Sequence, residues 1–175
     1  PEDVDLDGDI DLVATARSIV GVYGMNPQHF FLENDGQGGW IDHSRTKAQV
    51  LANSGMITDA QWIDLDQKRT LVVVSDWGTP AFYRFVADQF VAVKSTLDHF
   101  SGWWNTITPA DMDGDGDLDF VIGNQGSNLH YKPQPGQPMK LWVNDFDNNG
   151  TYEQIITQQL GGKDMPIHQK SEMTT

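Results

Sequence analysis

The chain has 175 residues, 38% of them hydrophobic and 10% aromatic, with 17 glycines, so it can build a core and is not a disordered polymer. Its formal net charge of -14 repels phosphate backbones and anionic membrane surfaces, which argues against nucleic-acid binding. No apolar run approaches the roughly 20 residues of a membrane helix, and the absence of cysteine removes disulfides and thiolate metal sites.

The first element is an acidic loop. Asp3-Val4-Asp5-Leu6-Asp7-Gly8-Asp9-Ile10-Asp11 puts a carboxylate at every odd position, and Leu12-Val13-Ala14 after it reads as a short strand. Phe30 to Leu32 and Trp40-Ile41 flank an Asn-Asp-Gly turn, a hairpin signal. Next, Trp62-Ile63-Asp64-Leu65-Asp66-Gln67-Lys68-Arg69 begins like the acidic loop, is two residues shorter, and runs into the strand Leu71 to Val74. Lys68 and Arg69 replace the expected acids, so a basic side chain is expected where a cation would sit and no ion is expected there. Ala81 to Phe85 and Gln89 to Val93 form a second hairpin.

The acidic loop then returns, 108 residues on, as Asp111-Met112-Asp113-Gly114-Asp115-Gly116-Asp117-Leu118-Asp119, followed by the strand Phe120-Val121-Ile122. A softer third copy, Asp145-Phe146-Asp147-Asn148-Asn149-Gly150-Thr151-Tyr152-Glu153, lies between the strands Lys140 to Asn144 and Tyr152 to Ile156. The three loops hold thirteen of the chain's 25 acidic residues, a crowding that is repulsive without a cation.

The spacing selects the cation class. Side-chain oxygens at loop positions 1, 3, 5 and 9, with the backbone carbonyl of position 7, make a ring of hard donors suited to Ca²⁺, which takes about 6 to 8 oxygens. No histidine lies in any loop, which argues against zinc and copper. An EF-hand is rejected because Ala14, Ile122 or Ile156 stands where that loop has its bidentate Glu, and strands rather than helices follow.

The loop starts at Asp3, Asp64 and Asp111 are 61 and 47 residues apart. Each repeat reads strand, acidic loop, strand, connection, strand, hairpin, strand, which predicts an all-β fold of β-propeller blades with four antiparallel strands. The expected blades are 1–58, 59–105 with the degenerate loop, and 106–160 with two ion loops, with 161–175 a linker and tail.

The Asp-x-Asp-x-Asp-Gly-x-x-Asp loop before a hydrophobic strand resembles the FG-GAP or VCBS repeat family, which includes the integrin α-subunit propellers. The likeness covers about residues 1–160. Because the family's phenylalanine-glycine and glycine-alanine-proline signatures are missing, the likeness points to bacterial-type members. The resemblance implies two to three structural Ca²⁺ ions held by Asp3, Asp5, Asp7, Asp9 and Asp11, by Asp111, Asp113, Asp115, Asp117 and Asp119, and by Asp145, Asp147, Asn149, Thr151 and Glu153. It also implies a larger propeller, typically seven-bladed, of which about three blades are present, so the remaining blades or other copies of the chain are expected partners.

Alternating strand direction places all the ion loops on one face. The opposite loops carry Tyr23, Trp77, Trp103, His130, Tyr131 and Lys132, a rim suited to a protein or glycan partner. Trp103 and Trp104 are expected between blades, Trp40, Trp62 and Trp142 in the core, and His29, His43, His99 and His168 in surface or packing roles. No nucleophile or phosphate-cradling motif is present. The expectation is therefore a calcium-stabilised propeller segment of a secreted or cell-surface protein, extracellular or periplasmic, that acts in binding or adhesion. The alternative is the propeller of a carbohydrate-active enzyme such as a polysaccharide lyase, with the cluster at His130 to Lys132 at its site.

Overall fold

A computed structural model describes residues 1–128, 133–134 and 136–167. The described chain is all-β, its named strands pairing antiparallel throughout. It divides into two compact units, one of residues 1–17 and 26–126, the other of residues 18–25 and 127–175.

In the first unit, β1 (Leu12–Ala14), β2 (Phe30–Asn34) and β3 (Trp40–Asp42) form a three-stranded sheet. Then β4 (Met56–Leu65), β5 (Lys68–Gly78), β6 (Ala81–Val86) and β7 (Gln89–Val93) form a four-stranded meander. β8 (Gly102–Ala110) joins the far end of β5 through Asp76↔Trp103 and carries β9 (Asp119–Asn124).

The run Leu71-Val72-Val73-Val74 is buried throughout, the signature of a strand covered on both faces. Side chains alternate across a strand. Leu71 and Val73 accordingly pack with Phe31, Ile57, Tyr83 and Phe90, whereas Val72 and Val74 pack with Ile63, Phe82 and Ile107. The meander is thus sandwiched between β1–β3 on one side and β8–β9 on the other. Phe31, Phe85 and Phe90 lock the first interface, with ring centroids 5.1 to 5.8 Å apart.

In the second unit, β10 (Met139–Asn144), β11 (Glu153–Leu160) and β12 (Lys163–Pro166) form an antiparallel sheet of their own. Residues 163–166 were expected in a linker, and this is corrected. Gly161 and Gly162, at φ +57° and +78°, close a tight turn that lays β12 back on β11. Lys140 on β10 pairs with Asp164 on β12 at 2.8 Å.

The tryptophan expectations also need correction, since Trp40 is 49% and Trp142 44% exposed. Trp40 lies on β3, the outermost strand of its sheet, and is left half exposed there. Trp142 keeps its indole N–H bonded to Thr157 Oγ1 at 2.9 Å. Trp62 packs against the core as expected. His29 is buried, with Nδ1 accepting from the backbone N–H of Ala16 at 3.2 Å and Nε2 lying 3.0 Å from the carbonyl of Gly55.

Candidate metal centre

Each acidic loop caps a strand pair. Glu2 and Asp11 exchange two backbone hydrogen bonds across the first loop, at 3.1 and 2.8 Å. The Ala110↔Asp119 pair closes the second, and Asn144↔Glu153 closes the third. The eight residues between each pair of bonded ends must turn back on themselves. In all three loops positions 4 and 6 have positive φ: Leu6 at +66° and Gly8 at +101°, Gly114 at +79° and Gly116 at +95°, Asn148 at +59° and Gly150 at +87°. Position 6 is glycine each time because that region is open to glycine at no steric cost.

The same four hydrogen bonds recur in every copy. The position 1 carboxylate accepts from the position 6 glycine, at 3.2 Å for Asp3, 3.1 Å for Asp111 and 2.9 Å for Asp145. Position 3 accepts from the N–H of position 5, at 3.2 Å for Asp5, 3.3 Å for Asp113 and 3.1 Å for Asp147. Position 5 accepts from position 7, at 2.8 Å for Asp7, 2.9 Å for Asp115 and 2.7 Å for Asn149. Position 9 reaches back to position 2, at 2.9 Å from Asp11 to Val4, 3.2 Å from Asp119 to Met112 and 2.8 Å from Glu153 to Phe146.

These bonds hold the loop's side-chain oxygens in place. Asp3, Asp5 and Asp11 bring one oxygen each within 4.8 Å of one another, as do Asp111, Asp113 and Asp115, and Asp145, Asp147 and Glu153. Asp7, Asp9, Asp117 and Asp119 stand outside these triads. Asp9 at position 7 turns its carboxylate towards the β2–β3 turn, so close to Gly36 that a Cβ there would lie 2.6 Å from Oδ2.

The first copy is the most enclosed. Asp11 is 1% exposed and also accepts from the N–H of Asn34 at 2.9 Å. Oδ1 of Asp3 is buried with no hydrogen-bond partner among the described residues. Such an atom is costly unless something absent from the chain meets it. Desolvation, reinforced by the charges of Asp7, Asp11 and Glu33, holds the Asp5 carboxyl above the usual range. A divalent cation would satisfy the orphaned oxygen and offset the repulsion, so the donor set fits a hard, oxygen-seeking ion.

The degenerate loop has become a two-residue turn. The β4–β5 ladder runs to Leu65↔Lys68, and Asp66 and Gln67 sit at φ +52° and +59°, the geometry of a type I′ hairpin. Arg69 lies 3.3 Å from Asp64 and 2.6 Å from Glu2, and Arg84 lies 3.9 Å from Asp66. Arginines thus stand against both remaining carboxylates of that loop.

Of the residues expected on the opposite rim, Trp77 has φ +63° and meets Trp103 edge to face, centroids 4.6 Å apart. Beside it, Arg17 pairs with the buried carboxylate of Asp76 at 2.8 Å. Tyr23 belongs to the 18–25 segment of the second unit. His130, Tyr131, Lys132 and His168 lie outside the described residues. Sequence reasoning missed Asn34, whose backbone N–H reaches Asp11 and whose side-chain amide reaches the carbonyl of Ile10 from β2; only the fold brings it there.

Fold and loops together define an all-β repeat protein of antiparallel, blade-like sheets with acidic turns. Residues 63–122, from late β4 into β9, match the family model of the FG-GAP-like repeat, so that stretch of the chain is similar to that family. No curated protein and no solved structure matches it. Among the described residues, no helix is long and apolar enough to cross a membrane.

Proposed function

We propose that the chain is a calcium-stabilised segment of a β-propeller from a secreted or cell-surface protein whose work is binding or adhesion. The observation that carries this reading is the fourfold hydrogen-bond pattern repeated in three loops, with Asp3 Oδ1 left unmatched in the most enclosed of them. Side-chain oxygens at positions 1, 3, 5 and 9 and the carbonyl of position 7 would hold each ion. The ion supplies positive charge that neutralises the carboxylates and fixes the strand ends. The second blade needs none, because a two-residue turn and Arg69 replace it.

Millimolar calcium outside cells suits sites of this kind, which favours an extracellular setting. The exposed Trp40 and Ile41 on β3 and Trp142 on β10 support further blades, or further copies, as neighbours. A protein or glycan partner belongs on the loops opposite the ions, where Trp77 is held in a strained backbone conformation against Trp103.

The test is thermal unfolding in calcium and after chelation, for the parent chain and for Asp113→Ala. Chelation should lower the melting temperature of both. Calcium should restore less stability to the variant. An identical melt with and without calcium overturns the structural role.

A further inference from the structure

The first unit contains a cleft of about 650 Å³ that neither the ion loops nor the Trp77 rim accounts for. It opens between the β4–β5 turn, the connection 93–97 and the wall of the second ion loop at Gly116, Asp117 and Leu118. Its origin lies in the repeat. Where the other blades carry nine-residue loops, β4 and β5 close in two residues, and the space beside Asp66 and Gln67 stays open. The volume falls within the roughly 300 to 1,000 Å³ of small-molecule sites.

The lining has two halves. Phe82 and Phe120, tilted by 53° with centroids 5.8 Å apart, meet Val93 and Leu97 on the apolar side. On the polar side are two cations, Arg84 and Lys94, two carboxylates, Asp66 and Asp117, and the uncharged Gln67 and Thr96. Asp66 lies 3.9 Å from Arg84, and a third carboxylate, Asp64, is tied to Arg69 at 3.3 Å. Arg84 is fixed before any ligand arrives, its Nε donating to Thr70 Oγ1 at 3.0 Å and its Nη2 to the carbonyl of Leu65 at 3.2 Å. Groups already held in place lose little freedom on binding.

We propose that this cleft binds a neutral oligosaccharide. The charges decide the class. An anionic ligand that met Arg84 and Lys94 would also meet Asp66 and Asp117, and a cationic one would meet the reverse conflict. A hydroxyl both donates and accepts, so one polyol satisfies carboxylates, cations and amide together. The C–H face of a pyranose ring matches the apolar half formed by Phe82, Phe120, Val93 and Leu97. The site lies beside an ion loop, away from Trp77, and is distinct from the partner face proposed above.

The test follows backbone amide shifts of the whole chain by NMR, in calcium-containing buffer, during titration with cellotriose, maltotriose, lactose and N,N′-diacetylchitobiose. Saturable shifts at Gln67, Thr96 and Leu118 with at least one of these are expected. Lys94→Ala and Thr96→Val should each weaken that binding by about tenfold, with the thermal melt unchanged. The proposal is overturned if none of the four sugars gives saturable shifts, or if the shifts gather at Trp77 and Trp103. It is equally overturned if a glucuronate disaccharide or a lysine tripeptide binds the cleft more tightly than any neutral sugar.

Discussion

The carboxylate of Asp11 accepts the backbone N–H of Val4 at 2.9 Å and, on its other oxygen, the N–H of Asn34 at the same distance. One side chain, 1% exposed, thus ties the start of the first acidic loop to β2. Asp11→Ala would strand both N–H groups in a buried place. The expected loss is about 2 to 4 kcal/mol of folding stability, read by urea denaturation. A loss below about 0.5 kcal/mol would mean that water replaces the carboxylate.

Leu6 is a γ-branched residue at φ +66°, and its side chain is 85% exposed, so it gains little from packing. The equivalent position in the second loop is Gly114. Leu6→Gly should stabilise the chain by up to about 1 kcal/mol by relieving left-handed strain. Unchanged or lower stability would show that the loop adopts a different backbone.

The β4–β5 turn uses Asp66 and Gln67 where type I′ geometry favours Asn-Gly. Gln67→Gly should raise the unfolding midpoint, by about 0.5 to 1 kcal/mol in free energy. Gln67→Val should lower it, since a β-branched side chain resists positive φ.

Burial holds the His29 imidazole below its ordinary pKa of 6.5, with the Gly55 carbonyl opposing more weakly. The neutral ring is therefore the form the fold prefers. Its contribution is fully present above pH 6.5 and is lost as pH falls towards the lowered folded value, because the unfolded chain takes up the proton first. Stability measured downward from neutral pH should fall before the carboxylates titrate. His29→Gln should flatten that part of the profile, and an equal slope in both proteins would contradict the assignment.

Much of this was legible in sequence because its signals are local. The nine-residue loops carry their chemistry at odd positions, and the meander from Met56 to Val93 follows from alternation and turn residues. The run from Leu71 to Val74 reads as a strand in the sequence, and its burial on both faces is seen in the fold. What escaped depends on contacts distant in sequence. Asn34 reaches Asp11 across 23 positions, and the exposure of Trp40 follows from its edge strand rather than from its side chain. The strand at Lys163–Pro166 is polar and short, and only the Gly161-Gly162 turn announces it. The cleft beside Arg84 arises from a loop that is missing, and an absence leaves little pattern to read.

The acidic loops are proposed as cation sites that hold the blades together. Calorimetric titration of the chelator-stripped chain with Ca²⁺ tests this most directly. Two to three ions per chain are predicted, with the occupied protein melting at higher temperature, as binding to the native state alone requires. Absence of any binding heat at millimolar calcium, together with an unchanged melt, would contradict the account and leave the loops as acidic turns.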